Sequence, residues 1–320
     1  MKIGFLFPGQ GAQSVGMGKD LYDKYEEYRN VYKKVKELTG VDVEDITFNS
    51  SEEDLSQTKN TQICILTMSL AILELLKKEN IQAIASCGLS LGEYSALINS
   101  NSISFEDGVK IVKTRGEIMQ KLCPEGTWSM AAILGLDEEK VTKVCNEIKT
   151  GFVAPANFNC PGQIVISGEK NAIDEAIEKL KVEGAKRAIE LKTSGPFHTK
   201  MLEKASIQLR NELEKVQINS FKTKVIKNID GKEYSEDDDV KDILANHIIN
   251  PVRFEDGLRR MIDMGIDTFI EIGPGKSLSG FVRKINKELK ILNVNSVETL
   301  QNLINEITIS NGGKIWIKLL

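Results

Sequence analysis

Histidine is almost missing from this sequence: His198 and His247 are the two present in 320 residues. Any imidazole chemistry must use one of them. With no His-Glu-x-x-His pattern, a histidine-held metal is not expected. Cysteine is sparse as well. Cys64, Cys87, Cys123, Cys145 and Cys160 are odd in number and widely spaced, with no Cys-x-x-Cys pair. That argues against a disulfide framework or a cysteine zinc site, and for a reducing compartment. Excess positive charge is absent, with 42 Lys and Arg against 46 Asp and Glu, a net charge of −4. The molecule as a whole is therefore not built to grip nucleic acid, although a local basic patch for an acidic partner is compatible with it. Long apolar runs are also lacking. "ICILTMSLAILELL" is cut by Glu74 and followed by two lysines, short of the roughly 20 residues of a membrane span. The apolar stretch before Pro8 is too short for a signal-peptide core. A cytoplasmic protein with no membrane segment and no metal is expected.

What is present reads as an α/β chain. "KIGFLF" is a short buried strand, "TQICILTMSLAILELLKKEN" a buried helix and "AIASCG" a second strand apolar on both faces, as an interior parallel strand is. Helices follow over 91–99 and 105–122. From 128 to 192 the order is strand, helix, strand, strand, helix, strand, the ferredoxin-like unit. Afterwards helices (199–216, 238–249, 255–264, 277–288) alternate with short strands (223–229, 267–272, 291–295). Alternation of this kind implies a mostly parallel sheet covered by helices. The expected organisation is a discontinuous large domain, 1–124 and 196–320, with an inserted small domain at 125–195. The tail "NGGKIWIKLL" fits no element.

Three glycine-rich stretches could serve a ligand. "FPGQGAQSVG" leaves the first strand, but Ser14 stands where a dinucleotide fingerprint needs its last glycine. It reads either as a plain strand-end turn or as a loop whose glycines let backbone N–H groups approach a ligand. "EIGPGKSLSG" ends like a phosphate loop, yet Ile270 replaces the first required glycine. It reads as a strand, a tight turn and Ser277 capping a helix. "GLSLG", residues 88–92, fits Gly-x-Ser-x-Gly between a buried strand and a helix-forming segment. That context is the one a nucleophile elbow needs. The turn lifts Ser90 toward a helix N-terminus, and the Leu91 N–H faces whatever Ser90 attacks.

A serine needs a base, and two histidines can supply one. His247 sits in "DVKDILANHIIN" and reads as a satisfied core or helix-end histidine. His198 follows "TSGPF", a loop at the boundary between domains, where clefts form. In the 105–122 helix, Gly108, Val112, Arg115, Met119 and Leu122 share one stripe. Arg115 thus points where leucine is expected. It is either a structural arginine or a guanidinium awaiting an anionic ligand. A nucleophilic serine with an inward arginine suggests an acyl group bearing its own carboxylate.

Together "FPGQGAQ", "GLSLGEYSAL", "RGEIMQ", "PEGTWSMAAILGL", "ANFNCPGQIVISG", "SGPFH", "NPVRF" and "EIGPGKSLSGFVRK" run in order from residue 5 to about 285. The chain resembles the malonyl-CoA:acyl carrier protein transacylases of bacterial fatty acid synthesis. The resemblance implies an α/β-hydrolase-like large domain with a ferredoxin-like insertion, consistent with the reading above. It implies Ser90 as acylated nucleophile, His198 as general base and acid, and the backbone N–H groups of Gln10 and Leu91 as oxyanion hole. Arg115 would clamp the malonyl carboxylate, with Asn159 and Gln62 near the site and Phe197 disfavouring a branched acyl group. The chain departs from the family pattern at two places. Leu89 stands where many relatives have histidine. His247 stands where glutamine is usual, and its backbone carbonyl would orient the catalytic imidazole.

The implied reaction is ping-pong transfer of malonyl from malonyl-CoA, releasing CoA, to the pantetheine thiol of an acyl carrier protein. No cofactor is implied, and a monomer is expected. Arg283, Lys284 and Lys287, read as lying on one helix, would help dock the acidic carrier. Two rival readings share the motif. A polyketide-pathway loading enzyme would use a different carrier. A serine esterase or thioesterase would have no use for Arg115 and would need an acid between Ser90 and His198. Asp107 and Asp137, read as helical, are its unremarked candidates.

Overall fold

A computed structural model describes residues 1–123, 126–191 and 195–310. Five strands form one parallel sheet: β1 (Ile3–Phe7), β2 (Ala85–Gly88), β7 (Lys224–Ile226), β8 (Thr268–Ile272) and β9 (Lys290–Val294), in the order β7-β2-β1-β8-β9. The two-residue strand period sorts its side chains. Phe5, Phe7, Ile270 and Ile272 enter the core on one face, and Leu6, Cys87 and Phe269 enter the core on the other. Both faces are thus dry, which is why the strands read as continuous apolar runs.

Four strands form an antiparallel sheet: β3 (Trp128–Leu134), β4 (Val153–Cys160), β5 (Gln163–Glu169) and β6 (Arg187–Glu190), in the order β4-β5-β3-β6. Helices Glu138–Glu147 and Lys170–Val182 cover it, with a separate cluster around Ile133, Val141, Ile166 and Ile173. β4 ties the small sheet to the segment leading into helix Phe254–Asp263: Phe158 N–H donates to the Val252 carbonyl and Val252 N–H to that of Ala156, both at 2.8 Å.

Helix Thr58–Lys78 is, among the described residues, the one long and apolar enough to cross a membrane by length and composition, yet 83% of its apolar window is buried in the fold. It packs beneath the parallel sheet, where Ser69 Oγ donates to the Ile272 carbonyl. Helix Phe105–Lys121 lies against it with Gly116 at the contact; a Cβ there would stand 2.9 Å from Lys59 Cα. That close approach sets Arg115 beside the first helix.

Several expectations need correction. Ser277 does not cap helix Ser277–Ile285; the N-cap residue is Lys276, with no side-chain cap bond. The buried Glu271 carboxylate, reaching from β8, accepts instead from Leu278 N, Ser279 N and Ser279 Oγ. A carboxylate serves the helix N-terminus better than a hydroxyl because it also meets the helix dipole. The 199–216 helix opens as a 3-10 turn, Lys200–Leu202, before helix Glu203–Leu213. Helix Val297–Ser310 was not expected; Ser296 and Thr299 bond each other's backbone at its start, and Leu300 and Leu303 are buried. The expected boundary at 124/125 and the tail after 310 lie outside the described residues.

Replacing Glu271 with Ala leaves two buried N–H groups without an acceptor and is expected to lower unfolding stability by about 1–3 kcal/mol. Denaturant titration checks it; an unchanged midpoint would show that water replaces the carboxylate without cost.

Candidate active site

β2 ends at Gly88, and helix Gly92–Asn99 begins four residues later. A Cβ on Gly88 would lie 1.9 Å from the Gly92 carbonyl carbon, and one on Gly92 would lie 2.1 Å from the Phe7 carbonyl oxygen. Only glycine permits this corner. Ser90 stands at its apex with φ 53°, in the left-handed region that non-glycine residues rarely occupy. The loop after β1 approaches equally closely: a Cβ on Gly9 would meet the Leu89 carbonyl oxygen at 2.3 Å. Gln10 and Leu91 consequently line the same cleft. Among the described residues, neither backbone N–H has a protein acceptor. The Gln10 side chain turns aside to Thr58 Oγ1, 3.2 Å away.

His198 lies 108 positions from Ser90 in sequence, yet its Nε2 is 2.8 Å from Ser90 Oγ. Its Nδ1 is 3.0 Å from the His247 carbonyl oxygen. A carbonyl can only accept, so Nδ1 carries the hydrogen and Nε2 presents its lone pair to the serine hydroxyl. His198 also holds a positive φ of 60°, and its N–H donates to the Ile248 carbonyl. Burial above all, opposed by the bond to His247 and assisted by the Arg115 charge, lowers the His198 pKa to about 4. The ring is a neutral acceptor at pH 7.

His247 ends helix Val240–His247, fully buried. The expectation that its ring is satisfied is overturned: among the described residues neither nitrogen has a hydrogen-bond partner. Nδ1 stands 3.1 Å from Glu93 Oε2 without hydrogen-bond alignment. The ring lies 4.9 Å from that of His198, tilted by 33°. Burial, His198 and Arg115 all depress its pKa.

Arg115 is 1% exposed. Its Nη1 donates to Gln62 Oε1 at 2.6 Å and its Nη2 to Ser90 Oγ at 3.3 Å. Among the described residues Nε has no partner and no carboxylate lies within salt-bridge distance. A buried cation with no ion-pair contact is costly; burial lowers its pKa, opposed by Tyr94 and by the charge of Glu93, and the guanidinium lies 5.6 Å from the centre of the Tyr94 ring. The cleft has a volume of about 480 Å³ and is walled in part by Asn159, Phe197 and Leu89. Among the described residues the buried Asn159 Oδ1 has no hydrogen-bond partner.

Other candidates fall elsewhere. Arg283 and Lys284 are exposed on helix Ser277–Ile285, but Lys287 lies beyond its C-cap residue Asn286, a correction to the one-helix reading. Lys284 borders a groove with Lys186 and Arg187. Asp137 caps helix Glu138–Glu147 rather than lying within it, and Asp107 sits in the first turn of helix Phe105–Lys121. Neither bonds His198. Among the described residues no cluster of His, Cys, Asp and Glu could hold a metal. Two residues beside Ser90 went unread in the sequence, Glu93 and Asn228. Glu93 directly follows the motif and is fully buried, a charge in an otherwise apolar helix start that could have been noticed.

Comparison with known proteins follows this geometry. A family model described as "Acyl transferase domain" matches residues 4–308. A malonyl CoA-acyl carrier protein transacylase of Bacillus subtilis is 41% identical over 312 residues, 97% of this chain and 98% of that protein. A crystal structure of the malonyl CoA-acyl carrier protein transacylase of Clostridium perfringens superposes with a TM-score of 0.93 at 46% identity, covering 98% of this chain and 99% of that one. Another solved structure holds a malonyl-transacylase in complex with its type II PKS acyl-carrier protein; it matches with TM-score 0.92 at 33% identity, over 96% of this chain and 100% of that one.

The depressed His198 pKa sets a pH dependence. Protonation removes the lone pair facing Ser90, so reactivity is full above the folded pKa and lost as pH falls through about 4. The rate of Ser90 modification by a sulfonyl fluoride is expected to stay flat from neutrality down through the ordinary histidine range. An acid limb centred at about 6.5, the unperturbed value, would contradict a buried neutral imidazole.

Proposed function

The chain belongs to the acyl transferase family, and from that premise we propose that it is a malonyl CoA-acyl carrier protein transacylase working through a malonyl-serine intermediate. Ser90 Oγ attacks the thioester carbonyl of malonyl-CoA while His198 Nε2 takes its proton. The Gln10 and Leu91 N–H groups receive the oxyanion, each such donor being worth about 3–4 kcal/mol. The C–S bond breaks, His198 returns the proton to the CoA sulfur, and CoA leaves. The pantetheine thiol of the carrier then reverses the sequence, ending with malonyl on the carrier and the proton back on Ser90. Every group required is a side chain or backbone N–H of one chain, so the reaction calls for no cofactor and a single copy suffices.

Arg115 carries the substrate assignment. Its guanidinium touches the oxygen that becomes acylated and lacks an anionic partner, which a carboxylate on the acyl group would supply. Gln62 holds the guanidinium from behind; Asn159 and Phe197 line the acyl space. A hydrolytic triad would set a carboxylate on His198 Nδ1, where a carbonyl stands instead. Exposed Arg283, Lys284 and Lys287 would face the acidic carrier. The fatty acid and polyketide readings differ only in that carrier.

The finer architecture is part of the same reading: an α/β-hydrolase-like unit, 1–124 and 196–320, interrupted by a ferredoxin-like unit at 125–195. The strand order β4-β5-β3-β6 and the separate cluster beneath it support the second. Five free, buried cysteines suit the cytoplasm.

Intact-mass spectrometry after mixing with acyl-CoAs tests the proposal. A malonyl adduct is expected from malonyl-CoA, absent in Ser90→Ala. Arg115→Ala should cost about 2–5 kcal/mol of transition-state binding, as for other buried charge pairs. A lasting adduct from acetyl-CoA would remove the carboxylate clamp. Reversing Lys284 and Lys287 to Glu should weaken carrier affinity most at low salt; unchanged affinity would remove the docking surface.

A further inference from the structure

We propose that Asn228 is a positioning residue for the nucleophile, its side-chain amide holding Ser90 in the strained backbone that aims the hydroxyl at His198. The inference rests on the transacylase reading for its substrate, but not for its geometry. Asn228 follows β7 and is 1% exposed. Its Oδ1 accepts from Ser90 N–H at 2.7 Å and its Nδ2 donates to the Gly88 carbonyl at 2.6 Å. One amide thus bridges the corner on both sides of Leu89, from 138 positions away in sequence.

The bridge decides which backbone N–H groups of the turn face the cleft. Leu89 N–H donates to Phe7, Gly92 N–H to Leu89 and Glu93 N–H to Ser90. Ser90 N–H would be left over with that of Leu91, and Asn228 takes it. Among the described residues, Leu91 N–H alone in this turn then lacks a protein acceptor. The amide therefore strains Ser90 into place and leaves one N–H free beside it.

Asn228 is itself held. Its backbone N–H donates to Glu93 Oε2 at 3.3 Å, and its carbonyl accepts from Arg253 N–H at 2.7 Å. Glu93 also accepts from Tyr234 Oη at 2.6 Å and stands against the ring of His247, whose carbonyl orients His198. One buried carboxylate therefore lies behind the supports of both strained residues. It is not a catalytic residue, because it touches neither Ser90 Oγ nor the imidazole of His198.

The test uses two variants of the full chain and two reagents, malonyl-CoA and a sulfonyl fluoride. Both rates are counted per competent site by active-site titration, and folding is followed by thermal unfolding. In Asn228→Ala, acylation is expected to slow on the order of 10²-fold, the effect of a misplacement of about 1 Å, with KM for malonyl-CoA unchanged. Sulfonylation should slow in parallel. Asn228→Asp carries the test if Asn228→Ala does not fold. A protonated aspartic acid can still accept from Ser90 N–H and donate to the Gly88 carbonyl, whereas an ionised one sets two acceptors face to face. Its rate relative to the parent should therefore recover as pH falls. Glu93 bonds the Asn228 backbone, with Tyr234 and His247 against Glu93 in turn; Arg253 bonds the Asn228 carbonyl through its N–H, Lys227 and Asp230 neighbour it in sequence, and Arg115 and His198 meet Ser90 at its hydroxyl. Glu93 titrates nearby, its pKa pushed up to about 7 by burial, so the profile is repeated in a Glu93→Gln background. Parent-like rates per site in Asn228→Ala, or a pH-independent ratio in Asn228→Asp, would overturn the proposal. If the parent chain reacts with the sulfonyl fluoride but not with malonyl-CoA, the transacylase reading fails while the sulfonylation rates still judge Asn228.

Discussion

A guanidinium shut away from water with no carboxylate in contact among the described residues is the constraint around which the site is organised. Arg115 bonds only Gln62 and Ser90, both neutral. Taking a cation out of water costs several kcal/mol unless an anion answers it. The cleft therefore presents a buried positive charge beside the serine hydroxyl, and in the proposed reaction a carboxylate on the acyl group would pair with it. Packing makes this possible. Gly116 lets the two helices approach closely, and Arg115 beside it is 1% exposed.

The serine–histidine pair works under a second constraint, backbone strain at both members. Positive φ at Ser90 and at His198 persists because surrounding bonds over-determine it. A carbonyl rather than a carboxylate sets the imidazole tautomer, so no negative charge sits on Nδ1 to raise the basicity of the ring. Burial and the neighbouring Arg115 depress it further. The imidazole is consequently neutral whenever the serine is to be activated. Glu93, beneath both supports, ties the two strained residues to one buried polar cluster.

Much of this was legible in the residues because the signals are local. Short continuous apolar runs marked β1 and β2 of the parallel sheet. Helical spacing turned Arg115 inward. Glycines at 88 and 92 announced a corner that tolerates no side chain. Other features were hidden because they depend on partners far away in sequence. Asn228 reads as part of a short strand, 223–229, whereas β7 ends at Ile226 and leaves it in the loop beyond, where β2 brings the serine corner to it. Glu271 reads as one more charge until the helix start folds over it. His247 was expected to be satisfied, and its ring is instead sealed against Glu93 and His198 without a hydrogen bond.

The account turns on where the far end of the acyl group lies. A crystal structure of the acyl-enzyme formed from malonyl-CoA would settle it most directly. The account predicts malonyl on Ser90 Oγ with its terminal carboxylate paired to the Arg115 guanidinium. A carboxylate directed to solvent, with Arg115 left on its neutral partners, would contradict it.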